Sequence, residues 1–330
     1  MGKIGINGFG RIGRYLTRLI LMDDTIDLVL INDPASTDIL AHLLKYDSVH
    51  GVLPLDVVVD GDLVCFSNGK KLKFSHEKDP SQIPWKLNEV KIVVDSSGLF
   101  LTTEKAAGHF QAGAERVILS APANDESIPT VLLGVNDKEV LANDYRLLSN
   151  ASCTTNNTAP LIAVIRELAS IEYGYINTVH SYTNDQRLHD APHKDFRRAR
   201  AAANSIVPTS TGAAKAITRV FPDLKGKLTG GSVRVPVPNG SISEITLVLD
   251  KELSVEEINA AMKTAAEGKL KGILGYTSDP IVSTDIIGNP LSCLFDSGLT
   301  VSIGKMVKIA GWYDNEAGYS NRLFDLVKKF

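Results

Sequence analysis

Three features of this 330-residue chain are of types and spacings that do chemistry. The first is Cys153, preceded by Ser152 and followed by Thr154-Thr155-Asn156-Asn157-Thr158 and a helical stretch over 159–169. Ser152 reads as a helix N-cap, which puts Cys153 in the first turn. Unpaired N–H groups and the positive dipole end there favour a thiolate, the nucleophilic form of cysteine. The second is His180, 27 residues on, at the end of the apolar strand pattern 176–179. An imidazole at a strand end facing a thiol at a helix start can take its proton and then serve as acid or base. The third is the run Gly8-Phe9-Gly10-Arg11-Ile12-Gly13. An isolated cysteine at a helix start reads first as a small buried side chain; His180 and the glycine run move the reading to a nucleophile.

The elements around the glycines give them a purpose. A short strand, 3–7, leads into the run, and a helix with three-to-four apolar spacing, 14–20, follows it. Gly8 serves the tight turn, Gly10 lets the backbone approach a pyrophosphate, and Gly13 allows close helix packing. The first helical N–H groups, at Arg11 and Ile12, then point at the phosphates. A second strand, 27–31, ends near Asp33, 20 residues past Gly13, where an acid binds the adenosine ribose hydroxyls. The same carboxylate repels a 2′-phosphate, so NAD is expected over NADP. Further strands are expected at 55–59, 91–95 and 116–120. Ser97, Gly98 and Ser120 fall at carboxyl ends of strands, where open α/β sheets bind ligands, though ordinary loop starts look the same.

Composition sets the bounds. Two domains are the natural expectation for this length. A net charge of −3, with both signs dispersed, gives no dedicated nucleic-acid surface. No apolar run approaches the roughly 20 residues of a membrane span, and no secretory leader is expected. Cys65, Cys153 and Cys293 are odd in number and far apart, which suits a reducing, cytoplasmic compartment better than a disulfide framework. No metal site is expected.

Longer motifs carry a resemblance that runs from end to end. They are residues 6–14 (Ile-Asn-Gly-Phe-Gly-Arg-Ile-Gly-Arg), 45–51 (Lys-Tyr-Asp-Ser-Val-His-Gly), 149–156 around Cys153, and 209–215 (Thr-Ser-Thr-Gly-Ala-Ala-Lys). Residues 226–230, 271–276, 312–316 and 318–322 complete them. The chain resembles the phosphorylating, glycolytic glyceraldehyde-3-phosphate dehydrogenase family. The resemblance implies a Rossmann-type NAD-binding domain over 1–149, completed by a C-terminal helix, 316–330. It further implies an α+β catalytic domain over 150–315, with a mainly antiparallel sheet and an S-shaped loop of about 180–205.

By this resemblance Cys153 attacks the aldehyde of glyceraldehyde 3-phosphate, oxidation by NAD leaves a thioester, and inorganic phosphate releases 1,3-bisphosphoglycerate. His180 is implied as base and hydrogen-bond donor. Thr183 and Arg234 are implied in the substrate-phosphate site; Ser152, Thr154, Arg198, Thr211 and Gly212 in the inorganic-phosphate site. Arg197 adjoins Arg198, and either is compatible with facing the phosphate. Asn315 is implied at the nicotinamide carboxamide, Tyr319 elsewhere in the cofactor site, and Lys78, where many members carry arginine, near the adenine. The S-shaped loop implies a homotetramer, and Pro192 is the residue of NAD-specific members.

One departure is Asn157, where most members carry a second cysteine; residues four apart on a helix are neighbours, so Cys153 is expected to lack that disulfide partner. Competing readings are an NADP-preferring biosynthetic paralogue, an erythrose-4-phosphate dehydrogenase, and a catalytically retired binding protein. Retention of Thr211-Gly212-Ala213-Ala214-Lys215 opposes the second, and intact Cys153 and His180 oppose the third.

Overall fold

The computed structural model describes residues 2–330, which divide into two units. The first comprises residues 2–131, 137–151 and 320–330; the second comprises 132–136 and 152–319. The short segment 132–136 therefore belongs to the second unit, although it lies well inside the first stretch of sequence.

The first unit contains the strands β1 (Lys3–Asn7), β2 (Leu28–Asn32), β3 (Tyr46–Asp47), β4 (Gly51–Val52), β5 (Val57–Asp60), β6 (Leu63–Phe66), β7 (Lys71–Ser75), β8 (Val90–Asp95), β9 (Arg116–Leu119) and β10 (Leu147–Ser149). Its helices are α1 (Arg11–Leu21), α2 (Thr37–Lys45), α3 (Thr103–Gln111) and α4 (Asp137–Leu141). Eight strands form one sheet in the order β10-β9-β8-β1-β2-β7-β6-β5. The neighbours from β10 to β7 are parallel, and β6 and β5 add an antiparallel edge. Parallel strands covered on both faces read as apolar runs, which is why β1, β8 and β9 lack alternation. The expected strand at 55–59 is displaced by about two residues, because β5 is an edge strand whose side chains alternate and carry no long apolar run.

Packing behind the sheet is tight where the glycines lie. Gly8 has φ +88°, and a Cβ there would stand 2.5 Å from the Ser97 amide nitrogen. A Cβ on Gly13 would stand 2.3 Å from the Gly8 carbonyl oxygen. The far end of α1 is closed by other segments: Asn68 Nδ2 donates to Leu21 O and Lys70 Nζ to Ile20 O, satisfying carbonyls that the helix itself leaves open.

The second unit begins with α5 (Cys153–Leu168), followed by β11 (Ile171–Ser181), β12 (Val207–Thr209), α6 (Ala213–Val220), β13 (Leu228–Val235), β14 (Ser241–Leu249), α7 (Val255–Glu267), β15 (Leu274–Thr277), β16 (Cys293–Asp296), β17 (Val301–Ile303) and β18 (Met306–Tyr313). Its sheet runs β12-β13-β11-β14-β18-β16-β15, with β17 on β18; only β11–β13 and β15–β16 pair in parallel. β14 alternates strictly between buried and half-buried residues, as a strand with one covered face should. Pro160 lies inside α5, which starts at Cys153 and not later: the ring removes one backbone donor, while the Ser152 cap and the burial of residues 154–162 outweigh that loss. His180 and Ser181 are strand residues, so the irregular loop expected from about 180 spans 182–206. The last helix, α8 (Ala317–Val327), leads the chain back to the first unit.

Gly8→Ala joins a forbidden φ to a backbone overlap, and positive-φ strain alone costs about 1–3 kcal/mol. Calorimetric melting of this variant is expected to show a destabilised first unit and NAD affinity reduced by about tenfold or more; unchanged melting and binding would contradict the close packing of Gly8 on Ser97.

Candidate active site

Ser152 has extended backbone angles and its Oγ accepts a hydrogen bond from the Thr155 N–H at 3.1 Å, so the cap is formed and α5 starts at Cys153. Thr154 Oγ1 lies 2.9 Å from the Tyr313 hydroxyl, which ties this first turn to β18. One turn later Asn157 is fully buried and its Nδ2 donates to the carbonyls of Gly311 (3.2 Å) and Trp312 (3.3 Å). Cys65, Cys153 and Cys293 are all free thiols.

β11 brings His180 to this helix start: its Nε2 stands 3.5 Å from Cys153 Sγ. On the other side of the ring Nδ1 lies 2.7 Å from the Ser181 carbonyl oxygen, which can only accept. Arg234 Nη1, which can only donate, stands 3.0 Å from the same Nδ1, so Nδ1 either gives its proton to Ser181 O or accepts from Arg234, and Nε2 correspondingly faces the thiol as acceptor or donor. The Tyr313 ring packs edge-on against the imidazole at 5.9 Å.

β13, parallel to β11, places Arg234 opposite His180 in the register. Arg234 Nη1 donates to Ser181 O at 3.1 Å and reaches Thr183 Oγ1 at 3.4 Å, and it stands 3.0 Å from His180 Nδ1. Its Nε is buried without a hydrogen-bond partner. A buried guanidinium nitrogen with nothing to bond to is a cost that an anionic ligand would remove. Thr183 is fixed from behind by Gln186, whose Oε1 accepts the Thr183 N–H at 3.3 Å.

Of the two adjacent arginines, Arg198 is the one held inward. Its Nε donates to Thr209 Oγ1 at 2.8 Å and its Nη1 pairs with Asp185, whereas Arg197 is exposed. Thr211 and Gly212 precede α6; Gly212 is the N-cap residue and Thr211 Oγ1 accepts the Ala213 N–H at 3.2 Å. Asn315, almost fully buried, has its Oδ1 taken by Ser181 Oγ (2.9 Å), Ser241 Oγ (3.0 Å) and Gly240 N–H (3.2 Å). Three donors on one oxygen turn the amide nitrogen into the group available to a ligand. Tyr319 is buried, and burial pushes its hydroxyl well above the usual tyrosine range.

The charges pull in a definite direction. Burial pushes the Cys153 thiol up, and the Arg234 charge opposes this by favouring the thiolate. Burial, with Arg234 next, holds His180 down at about 3, so its imidazole is neutral at physiological pH. Burial also lowers Arg234 itself without depriving it of its charge.

In the first unit, Gly10 is the N-cap of α1 with no side-chain cap, so the first-turn N–H groups, including those of Arg11 and Ile12, have no capping oxygen from that residue. The Arg11 side chain does not serve that end: it forms a two-pronged pair with Asp47 at 2.6 and 3.0 Å. Its contribution to a phosphate site is reduced to the backbone. Asp33 accepts from Phe9 N–H (2.8 Å) and Ala35 N–H (3.0 Å), a carboxylate having further lone pairs to offer ribose hydroxyls. Ser97 Oγ donates to Asp95 at 2.7 Å, Gly98 has φ +72°, and Ser120 directly follows β9. Lys78 is exposed. The close turn at Gly8 and Gly13, the open space at Gly10, the helix start without a side-chain cap and Asp33 together fit a dinucleotide. Sequence reasoning did not find Tyr313, Gln186 or Asp185 as supporting residues; only their apolar or loop surroundings were visible.

Arg234→Leu removes the charge that favours the thiolate, so the Cys153 thiol should rise further, and the His180 imidazole should rise as well. The pH profile of Cys153 alkylation by iodoacetamide should move to higher pH; a profile that stays or moves down would refute the electrostatic role.

A family model described as glyceraldehyde 3-phosphate dehydrogenase, NAD binding domain, matches residues 2–103, and one described as the C-terminal domain matches 152–315. The chain is 54% identical over 327 residues to a glyceraldehyde-3-phosphate dehydrogenase of Priestia megaterium, covering 99% of this chain and 97% of that one. It is 52% identical over 326 residues to glyceraldehyde-3-phosphate dehydrogenase 1 of Bacillus subtilis, and 53% identical over 326 to the Geobacillus stearothermophilus protein, covering 98% of this chain and 97% of each relative.

Proposed function

Because this chain belongs to the glyceraldehyde-3-phosphate dehydrogenase family, we propose that the residues around Cys153 carry out that reaction in the roles set out here. The activity is the NAD-dependent oxidation and phosphorylation of D-glyceraldehyde 3-phosphate, a glycolytic step. The observation that carries the assignment of roles is the 3.5 Å pair of Cys153 Sγ and His180 Nε2 beside Arg234, whose Nε lacks a partner.

Cys153 is the nucleophile. His180 takes the thiol proton at Nε2 as Sγ adds to the aldehyde carbon, and the protonated ring then donates to the oxygen that gains charge. The Cys153 N–H, at the start of α5, adds a second donor to that oxygen. Two-electron oxidation of this adduct to a thioester is the chemistry that NAD supplies when bound. After the thiol proton has passed to solvent, the neutral His180 accepts a proton from the attacking phosphate, and loss of the Cys153 thiolate gives the acyl phosphate.

Arg234 and Thr183 are assigned to the phosphate of the substrate. Ser152, Thr154, Arg198, Thr211 and Gly212 are assigned to inorganic phosphate, with Arg198 preferred to Arg197 because Thr209 and Asp185 hold it. Gly8, Gly10, Arg11, Ile12, Gly13, Asp33, Lys78, Ser97, Gly98, Ser120 and Tyr319 are assigned to the dinucleotide, and Asn315 to its nicotinamide end. The functional domains are proposed as 1–149 with 316–330, and 150–315.

A homotetramer is proposed on the apolar side chains left in the open: Tyr173, Leu188, Phe196 and Ile206 are 65, 73, 90 and 70% exposed. Three free thiols support a cytoplasmic location; no helix of the described residues is long and apolar enough to cross a membrane.

NADH formation from glyceraldehyde 3-phosphate should proceed rapidly with phosphate present and fall to a slow rate when it is omitted; equal rates would overturn the thioester route. His180→Asn should lower turnover by about 10²–10⁴-fold. Light scattering should return a mass near four chains; a stable monomer would refute the assembly.

A further inference from the structure

Behind the strand ends of the first unit lies a chain of buried polar side chains that no step above uses. It starts at Trp85, whose Nε1 donates to His109 Nδ1 at 3.2 Å. An indole can only donate, so Nδ1 must accept and the ring proton sits on Nε2. Nε2 lies 2.9 Å from Asp95 Oδ2, and His109 and Asp95 are both 0% exposed. The same Oδ2 accepts from Asn7 Nδ2 at 2.8 Å, while Oδ1 accepts from Ser97 N–H (3.1 Å) and Ser97 Oγ (2.7 Å). Asn7 Oδ1 in turn accepts from Asn32 Nδ2 at 2.8 Å. Asn32 Oδ1 accepts from Ser75 Oγ and Glu77 N–H, both at 2.9 Å.

The chain runs sideways across β8, β1, β2 and β7, which are neighbours in that order in the sheet. Asp95, Asn7, Asn32 and Ser75 end β8, β1, β2 and β7, at the carboxyl ends where such sheets bind ligands, and His109 reaches Asp95 from α3. Each also adjoins a residue assigned to the dinucleotide: Asn7 precedes Gly8, Asn32 precedes Asp33, Glu77 precedes Lys78, and Asp95 holds Ser97. Apolar side chains would fill this volume without the penalty of burying a carboxylate, so the polar choice has a directional use. Hydrogen bonds fix distances that apolar packing leaves soft.

We infer that Asp95, His109, Asn7 and Asn32 are positioning residues for the dinucleotide, which hold four strand ends at the spacing that lets the glycine loop, Ser97 and Asp33 engage one extended ligand at once. The inference rests on the reading of the first unit as NAD-binding. It requires that a ligand spanning several strand ends depend on the chain, while a fragment held near Asp33 alone does not.

The test measures affinity for NAD and for AMP by calorimetry in the full-length protein and in Asp95→Asn, His109→Phe and His109→Gln. Asp95→Asn and His109→Phe should weaken NAD by about tenfold or more, as the loss of one or two buried hydrogen bonds implies, and leave AMP within about twofold. His109→Gln, which restores a donor toward Asp95 and an acceptor toward Trp85, should keep NAD within about threefold. The alkylation rate of Cys153 without NAD should not change in any of them. Equal losses for NAD and AMP, or an unchanged NAD affinity in Asp95→Asn, would overturn the inference. Should the carboxylate or phenyl variants fail to fold, Asn32→Ser breaks the middle link and must give the same separation of NAD from AMP. NAD binding by the unaltered protein tests the underlying reading by itself.

Discussion

The geometry of the second unit hangs on the place where α5 begins. Ser152 stops the backbone from being helical one residue earlier, and its Oγ takes the Thr155 N–H. Cys153 thus has one position, in the first turn, and everything that acts on it arrives from elsewhere in the sheet. β11 delivers His180, β13 delivers Arg234 in register with it, and β18 delivers Tyr313 to both Thr154 and the imidazole. Asn157, one turn on, bonds two successive carbonyls of β18 and so holds helix and strand together just before Tyr313. A start one residue later would rotate Cys153 by about 100° relative to the helix body and separate it from His180.

Charge in this site is deliberately unbalanced. Arg198 is matched by Asp185 and Asp195, yet Arg234 is given a carbonyl, a hydroxyl and the edge of an imidazole. It favours the thiolate of Cys153 and disfavours a second positive charge on His180. A bound dianion would reverse part of that bias, making the imidazolium easier to form at the stage when a proton has to be held. Binding and proton transfer are therefore coupled through a single guanidinium.

Much of this was legible in the chain itself, and the limit was sequence distance. The glycine run, the cap at Ser152 and the strand carrying His180 depend on neighbours a few residues away, and each is spelled out locally. Pro160 was a local signal that misled, since burial of α5 outweighs a single missing donor. Arg11 stands inside the fingerprint, but its side chain is claimed by Asp47, 36 residues on. Asn7 and Asp95 are 88 residues apart, and Tyr313 is 159 residues from Thr154. Pairings of that kind have no periodicity, and only the fold displays them. The difference between Arg197 and Arg198 is of the same sort: Thr209 and Asp185 hold Arg198, and nothing adjacent in the chain signals it.

The first unit is discontinuous, and its final stretch is also the last to be made. Residues 320–330 belong to it; Lys328 pairs with Asp23 at 2.7 Å, and Arg116 stacks over the ring of Phe330 at 4.0 Å. During synthesis the ribosome adds roughly 5–20 residues per second, so the interval between residues 151 and 320 is on the order of ten to thirty seconds. Throughout it, the nascent sheet lacks the segment that covers Asp23 and Arg116. The nascent chain must carry an unfinished nucleotide-binding layer while it makes the catalytic one. Premature termination near the end of the message would therefore damage the beginning of the protein.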